Sequence, residues 1–324
     1  VRYLGTRGSR LFVQRRRNVE AAVQPNRSLP TYLQRPSQSE LDKLSLTLDD
    51  LVGMFYECFG VMKNYCDAGL TNWITSFDNI GNSTYHGLAT ELTRRFSKGL
   101  LFKGAYTWSK AIDDSTADLF STLLSPRRPM DFQNMRIERS RSFLDRTHRF
   151  TFTWVYEVPW LKGSDSWALK NLVGNWTVSG TYTAESPQYA TVQSGTDSNL
   201  NGDSAPDRVI VNPAGVDKTS SDATALRNSA GKVVAYLAVN PNARYIKAGQ
   251  GAFPNGGRQT LPMRGINNWD LSFTKRVSFM ETRAVELKAN LFNAFNHPQY
   301  IPGSLNTVGA VSSNATRNNV IPQN

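Results

Sequence analysis

The chain has 324 residues, with 37 Lys+Arg against 26 Asp+Glu for a formal net charge of +11, yet only 19% of residues are charged, below the ~25% usual in soluble domains. Mean hydropathy is −0.42, and the longest apolar run, 233–239, falls well short of the ~18 residues a transmembrane helix needs, so a helical span is excluded. A β-barrel is not, because its strands carry a weaker signal. The basic balance passes only the charge test for nucleic acid. Arg15-Arg16-Arg17 is the one tight cluster and no helix-turn-helix, zinc-finger or RNA-reading motif accompanies it, so no nucleic-acid partner is expected and a solvated or phosphate-facing surface is.

The chain begins Val1-Arg2-Tyr3 with no Met, charged n-region or h-region, so no signal peptide is visible and a longer protein is expected. In 39–71, Leu44, Leu46, Leu48, Leu51, Val52, Phe55 and Phe59 are spaced to line an amphipathic helix or a folded loop. Cys58 and Cys66 are too few for a disulfide scaffold; they either close one loop in an oxidising compartment or are two unrelated thiols.

Period two begins at 84–96, where Leu88, Thr90, Leu92 and Phe96 oppose Ala89, Glu91, Thr93 and Arg95. Segment 102–109 puts Phe102, Gly104, Tyr106 and Trp108 on one face. In 147–158, His148, Phe150, Phe152, Trp154, Tyr156 and Val158 alternate with Thr147, Arg149, Thr151, Thr153, Val155 and Glu157. Then come Trp176, Val178, Gly180, Tyr182 and Ala184 against a polar face, Trp269, Leu271, Phe273 and Val277 against Asp270, Ser272, Thr274 and Arg276, and Val285, Leu287, Ala289 and Leu291 against Glu286, Lys288 and Asn290. Successive strand side chains point to opposite faces, so each segment has an apolar and a polar side.

A soluble β-sandwich alternates too, with its Trp residues in the core. Length and connections favour another arrangement. These segments exceed the ~5–6 residues of an average strand and match the ~9–11 of a tilted membrane-crossing one. Short connections at 97–99, 159–174 and 278–282 alternate with long ones at 110–146 and 185–268, so all the short ones fall at one end, as in outer-membrane barrels. Trp108, Tyr156, Trp160, Trp176 and Trp269 fit interfacial girdles. The expected fold is therefore all-β, an antiparallel transmembrane β-barrel segment of roughly 8–10 strands with long external loops. Charge on its lipid face costs ~2–4 kcal/mol at mid-depth, which places Lys275 and Arg94 near an interface, beside short turns.

The motifs Gly81-Asn82-Ser83-Thr84-Tyr85-His86-Gly87-Leu88, Arg94-Arg95-Phe96-Ser97-Lys98-Gly99-Leu100 and Tyr106-Thr107-Trp108-Ser109-Lys110 resemble TonB-dependent outer-membrane receptors of the Oar-like type. Asp145-Arg146-Thr147-His148-Arg149-Phe150, Asn268-Trp269-Asp270-Leu271-Ser272, the run Leu291 to Pro298 and Tyr3-Leu4-Gly5-Thr6-Arg7-Gly8 extend the resemblance in the family's order. It implies a 22-stranded barrel with an N-terminal plug, partnered by the TonB complex, importing or binding a ligand at the outer membrane of a Gram-negative bacterium. Plug, TonB box and N-terminal domain are absent from this sequence, the strands are too few to close such a barrel, 39–71 is foreign to the pattern, and the end at Asn324 lacks the usual terminal aromatic residue.

The sharpest local motif is Asp197-Ser198-Asn199-Leu200-Asn201-Gly202-Asp203, followed by Asp207. Oxygen donors at alternate positions with Gly sixth form the first half of an EF-hand-type Ca²⁺ loop. Arg208 occupies the twelfth position, so a true EF-hand is excluded, and Asp207 is expected in its place; the bland alternative is an Asn/Asp/Gly turn. In 110–146, Asp113, Asp114 and Asp118 accompany Arg127, Arg128, Arg136, Arg139 and Arg141, forming either a solvated loop or a contact to a ligand or to lipopolysaccharide phosphates. Outer-membrane lipid and lipopolysaccharide are the expected surroundings. The three His residues lack metal spacing, and with no nucleophile elbow or phosphate loop, no catalytic site is expected. The competing functions are a soluble or secreted all-β binding or adhesion module and a β-rich hydrolase.

Overall fold

The computed structural model describes residues 1–56, 60–115, 128–203, 207–280 and 283–298. Seven long strands dominate it: β1 (Arg2–Arg16), β2 (Thr75–Ser97), β3 (Leu100–Asp113), β4 (His148–Glu157), β5 (Trp176–Glu185), β6 (Ile266–Met280) and β7 (Arg283–Leu291). Each pairs antiparallel with the next in an up-and-down meander, and the two-residue strand Ser140–Arg141 adds an eighth beside the end of β3. Among the described residues β1 and β7 are the two edges of the sheet.

Short and long connections alternate as expected. The β2–β3 hairpin turns on Lys98 and Gly99 with φ of +51° and +79°, the left-handed pair of a type I′ turn that matches strand twist. The long connections are 17–74, 114–147 and 186–265. The first of these is larger than the 39–71 insert expected from sequence, and β2 starts at Thr75, nine residues before the expected 84. Its early part pairs with Leu11–Arg16 beyond an irregularity where the register jumps from Gly8↔Ser83 to Leu11↔Gly81, with Arg10 at φ +57°. At 23 residues, β2 is about twice what a membrane crossing uses, so its upper half is not under the lipid-imposed pattern.

Register assembles the expected faces into continuous surfaces. One row runs Tyr3, Leu88, Trp108, His148, and another Leu92, Gly104, Phe152, Tyr182, Trp269, all on one side. Behind them lie Thr93, Lys103, Thr153, Thr181 and Asp270. Aromatic contacts knit the first face: Tyr182 stacks on Trp269 at 4.2 Å and Phe152 on Trp154 at 5.5 Å. Gly180 lies opposite Trp154, and a Cβ there would come within 2.6 Å of its ring. Lys275, the one charge expected on this face of β6, reaches the carbonyl of Gly174 in the short β4–β5 connection, and Arg94 donates to the carbonyl of Ser97 at the hairpin (3.4 Å).

The core is not in the sheet. Among the described residues Val13 is the one buried hydrophobic side chain within the seven strands, whereas Leu92, Val285 and Leu287 are 67%, 48% and 62% exposed. The buried hydrophobic clusters belong to the long connections: Ala22, Val23, Leu29, Leu51, Leu200 and Tyr236 in one, Val192, Val209, Tyr245 and Leu261 in a second, Leu41, Leu226 and Val234 in a third. A sandwich buries its apolar face against a second sheet. Here, among the described residues, no second sheet covers that face, and the connections fold into a cap with its own core.

Candidate functional site

The cap is built from local signals that sequence partly revealed. Helix α1 (Gln38–Asp42) opens with a capping box of Ser37 and Glu40, and α2 (Leu48–Tyr56) with the reciprocal pair of Thr47 and Asp50. Leu51 is fully buried, with Leu46, Leu48 and Val52 packed on the same cluster and Leu44 on its neighbour, so the leucines of 39–71 line a folded loop with helices. Phe59 and Cys58 lie outside the described residues. Cys66, in α3 (Val61–Asp67), is disulfide-bonded, as an oxidising compartment permits. Phe143 from the second connection packs on the Val192–Leu261 cluster of the third.

Between cap and sheet lies a layer of buried charge. Glu138 (2% exposed) accepts from Arg208 at 3.0 Å and from the Met130 amide at 3.0 Å, and lies 3.9 Å from Arg258. Arg258 in turn bonds the Asp113 carboxylate at the end of β3 and the Asp114 carbonyl (2.6 Å). Asp113 thus closes a strand, and Asp114 bonds Asn82 and Arg139. These carboxylates are paired, which corrects the solvated-loop expectation; Asp118 and Arg127 lie outside the described residues. The arginine triplet is corrected too. Arg16 is 6% exposed, stacked 3.4 Å over the Trp73 ring and 3.4 Å from Asp203, while Arg15 and Arg17 pair with Asp78. The upper β1–β2 ribbon buries Arg16 and half-buries Arg15, while Arg17, just past the strand, stays 45% exposed beside Asp78.

Two cavities flank this layer. The inner one, of about 620 Å³, is lined by Ser83, Tyr85, Thr107, Ser109, Asp113 and Arg149 of the polar sheet face together with Asp145 and Arg146. Glu185 holds Arg149 at 2.9 Å and Arg146 at 3.3 Å. Asp145 accepts from Arg141 (2.7 Å) and the Ala111 amide (2.6 Å). The outer cavity, of about 560 Å³, is lined by Arg7, Asn82, Thr84, Arg136 and Arg139. Arg7 and Thr84 are register partners on the apolar face, two rows beyond Tyr3 and Leu88. The one row between holds Gly5, His86 and Lys110, and aromatic–imidazole pairs tie the rows together, Tyr3 to His86 at 2.6 Å and, one row deeper, Tyr106 to His148 at 2.8 Å. Apolar, aromatic and basic side chains therefore succeed one another towards the cap.

The expected Ca²⁺ residues lie together inside the cap. Asp197 accepts from the amides of Asn201 (3.0 Å) and Gly202 (2.8 Å). Asn199 and Asn201 both donate to the Met130 carbonyl, at 2.7 and 3.1 Å. Asp207 is fully buried, and one oxygen accepts from Ser198 N (2.5 Å), Ser198 Oγ (2.9 Å) and Asn199 N (3.1 Å). Burial pushes its carboxyl up to about 7, the nearby charge of Asp197 adding to the effect against the Asn199 amide. Asp203 differs: Arg128 grips both its oxygens. Among the described residues no three His, Cys, Asp or Glu side chains converge as a metal cluster. Sequence reasoning missed Glu138, Arg258 and Arg7. The one signal for Glu138 was a lone carboxylate within the arginine-rich run 136–141.

A family model described as "Outer membrane beta barrel domain" matches residues 1–320. The chain belongs to that family. Its place is the outer membrane of a Gram-negative bacterium, with the apolar sheet face towards lipid, short turns on the periplasmic side and the cap outside. Searches of curated proteins and of solved structures found no match.

Proposed function

We propose that this outer-membrane barrel segment serves a TonB-dependent, Oar-like receptor that captures a ligand under its external cap and passes it inward. The inner cavity carries the reading: it opens on the polar face of the sheet, beneath a folded cap, and is lined by Tyr85, Thr107 and Ser109, by Arg146 and Arg149, and by Asp113 and Asp145. Such a wall binds polar ligands through hydroxyl and charged side chains of both signs. The role is binding and passage, with energy for passage supplied by the TonB complex. The test uses the protein extracted from its own outer membrane and passed over immobilised TonB periplasmic domain. Retention comparable to a known receptor from the same membrane is expected. Passage without retention refutes the energy-coupled half of the proposal.

The same reading assigns the outer cavity to lipopolysaccharide phosphates. Arg7, Arg136 and Arg139 stand just beyond the aromatic rows, where headgroups meet the external leaflet, and arginine forks suit phosphate. Arg7→Gln with Arg136→Gln is expected to lower the amount of bisphosphorylated lipid A retained by the purified protein severalfold and to leave retention of dephosphorylated lipid A unchanged. Equal loss of both lipids contradicts a phosphate contact.

A further inference from the structure

The acidic loop of the cap has an electrostatic deficit that its own hydrogen bonds do not remove. Among the described residues neither Asp197 nor Asp207 forms an ion pair: the arginines nearest in sequence or space are committed elsewhere, Arg128 and Arg16 to Asp203 and Arg208 to Glu138. Two oxygens stay unpartnered although fully shielded from water, Oδ1 of Asp207 and Oδ1 of Asn199, whose residues are 0% and 3% exposed. An unmet buried acceptor keeps its full desolvation penalty, and a charged one keeps more. The two residues adjoin, since the other oxygen of Asp207 accepts the Asn199 amide at 3.1 Å.

The turn that brings them together has the form of a cation loop. Both oxygens of Asp197 take amides four and five positions on, Asn201 and Gly202, and Gly202 adopts φ +80°, which lets the chain reverse sharply. This leaves Asn199 at the head of the turn, where its amide meets the Asp207 carboxylate, as the early donors of a cation loop do.

We propose that this loop is a Ca²⁺ site whose side-chain donors are Asp197, Asn199 and Asp207, with the Asp203 carboxylate withheld by Arg128. A hard cation with flexible coordination accepts carboxylate, amide and backbone oxygens alike. That donor mixture also accounts for a site holding fewer than three carboxylates. Zinc is disfavoured because the loop offers neither Cys nor His. A buried set of protein oxygens suits Mg²⁺ less well, because that ion demands near-octahedral geometry and keeps several of its waters.

Occupancy has a mechanical consequence. Asn199 and Asn201 hold the Met130 carbonyl, and the Met130 amide bonds Glu138, which faces Arg208 and Arg258. The ion therefore anchors the segment that joins cap to sheet rim, and its removal loosens the cap. This holds whether or not the protein is energised by TonB.

The experiment is calorimetric titration of the chelator-stripped, folded full chain in detergent with CaCl₂ and, in parallel, MgCl₂, alongside proteolysis of the cap. One Ca²⁺ per chain is expected, with Mg²⁺ at least tenfold weaker. Asp207→Asn and, separately, Asp197→Asn are expected to weaken Ca²⁺ at least tenfold, and Asp203→Asn less than either. Ca²⁺ should slow cleavage within 186–265 in the parent and not in Asp207→Asn. Absence of Ca²⁺ heat together with unchanged proteolysis in the parent overturns the proposal. So does a folded Asp207→Asn protein that binds as tightly as the parent; if that variant does not fold, Asp197→Asn is read in its place by the same criterion.

Discussion

Glu138 is the residue on which the cap-to-sheet junction depends most heavily. It is 2% exposed, and its carboxylate serves two guanidinium groups that are themselves 2% and 4% exposed, Arg208 at 3.0 Å and Arg258 at 3.9 Å, while its second oxygen takes the Met130 amide at 3.0 Å. Glu138→Ala leaves the Arg208 charge buried without its carboxylate and Arg258 dependent on Asp113 alone. Breaking a buried pair by removing one partner costs about 3–5 kcal/mol, and each 1.4 kcal/mol is about tenfold in an equilibrium. The open fraction of the cap should therefore rise by a factor on the order of 10² to 10³. Glu138→Gln keeps the neutral acceptor for Met130 and gives up only the charge, so it should lose about 1.5–3 kcal/mol, the worth of hydrogen bonds to a charged group. Native-state proteolysis measures this, since cleavage tracks the population of the open form when opening and closing are fast. Heat-modifiable migration of the sheet on electrophoresis serves as an internal control. The order Ala, Gln, parent in decreasing cap cleavage, with the sheet unaffected, is expected. Cleavage of Glu138→Ala at the parent's rate would refute the junction as drawn.

On the lipid side, Gly180→Ala should destabilise the sheet by about 1–3 kcal/mol, because the new Cβ meets the Trp154 ring at 2.6 Å and the Asp270 carbonyl at 2.8 Å. Adding Trp154→Ala should relieve only part of that strain, as the backbone contact remains; denaturant unfolding in lipid vesicles reads both, and full relief contradicts the packing. Within the cap, the Asp207 carboxyl is raised to about 7 in the folded protein against about 3.9 unfolded. A carboxyl raised on folding stabilises when protonated, so in chelator the cap should be most stable below about pH 4 and lose that stability as pH rises through 7. Asp207→Asn should flatten this dependence in pH-resolved proteolysis, and an unchanged slope contradicts the assignment.

What the sequence made legible follows from which surface imposes a pattern. Lipid contact demands an apolar side chain at every second residue, so β4, β5, β6 and β7 were readable residue by residue, and their register then fell into shared rows. The ribbon formed by Leu11–Arg16 with Thr75–Gly81 stands above the membrane and contacts cap and solvent, which impose no period. Short cap strands such as Val216–Ser221, Val233–Ala238 and Ala243–Ile246 were equally hidden. The last two bury only three or four apolar residues each and the first buries only Ser220 and Ser221, and distant segments decide which. In the candidate site, the spacing of Asp197 to Asp203 was visible because a cation loop is local. The assignment of Asp203 to Arg128, 75 positions away, and the service of Glu138 to Arg208 and Arg258, are long-range matches that no local spacing encodes.

Lipid covers the aromatic face of the sheet. Single cysteines at Phe152, Tyr182, Thr151 and Thr181, labelled with a fluorophore in protein reconstituted with nitroxide-bearing phospholipids, test it directly. Strong quenching at 152 and 182 with little at 151 and 181 is the predicted result. Strong quenching at 151 and 181 with none at 152 and 182, or equal quenching at all four, would contradict it.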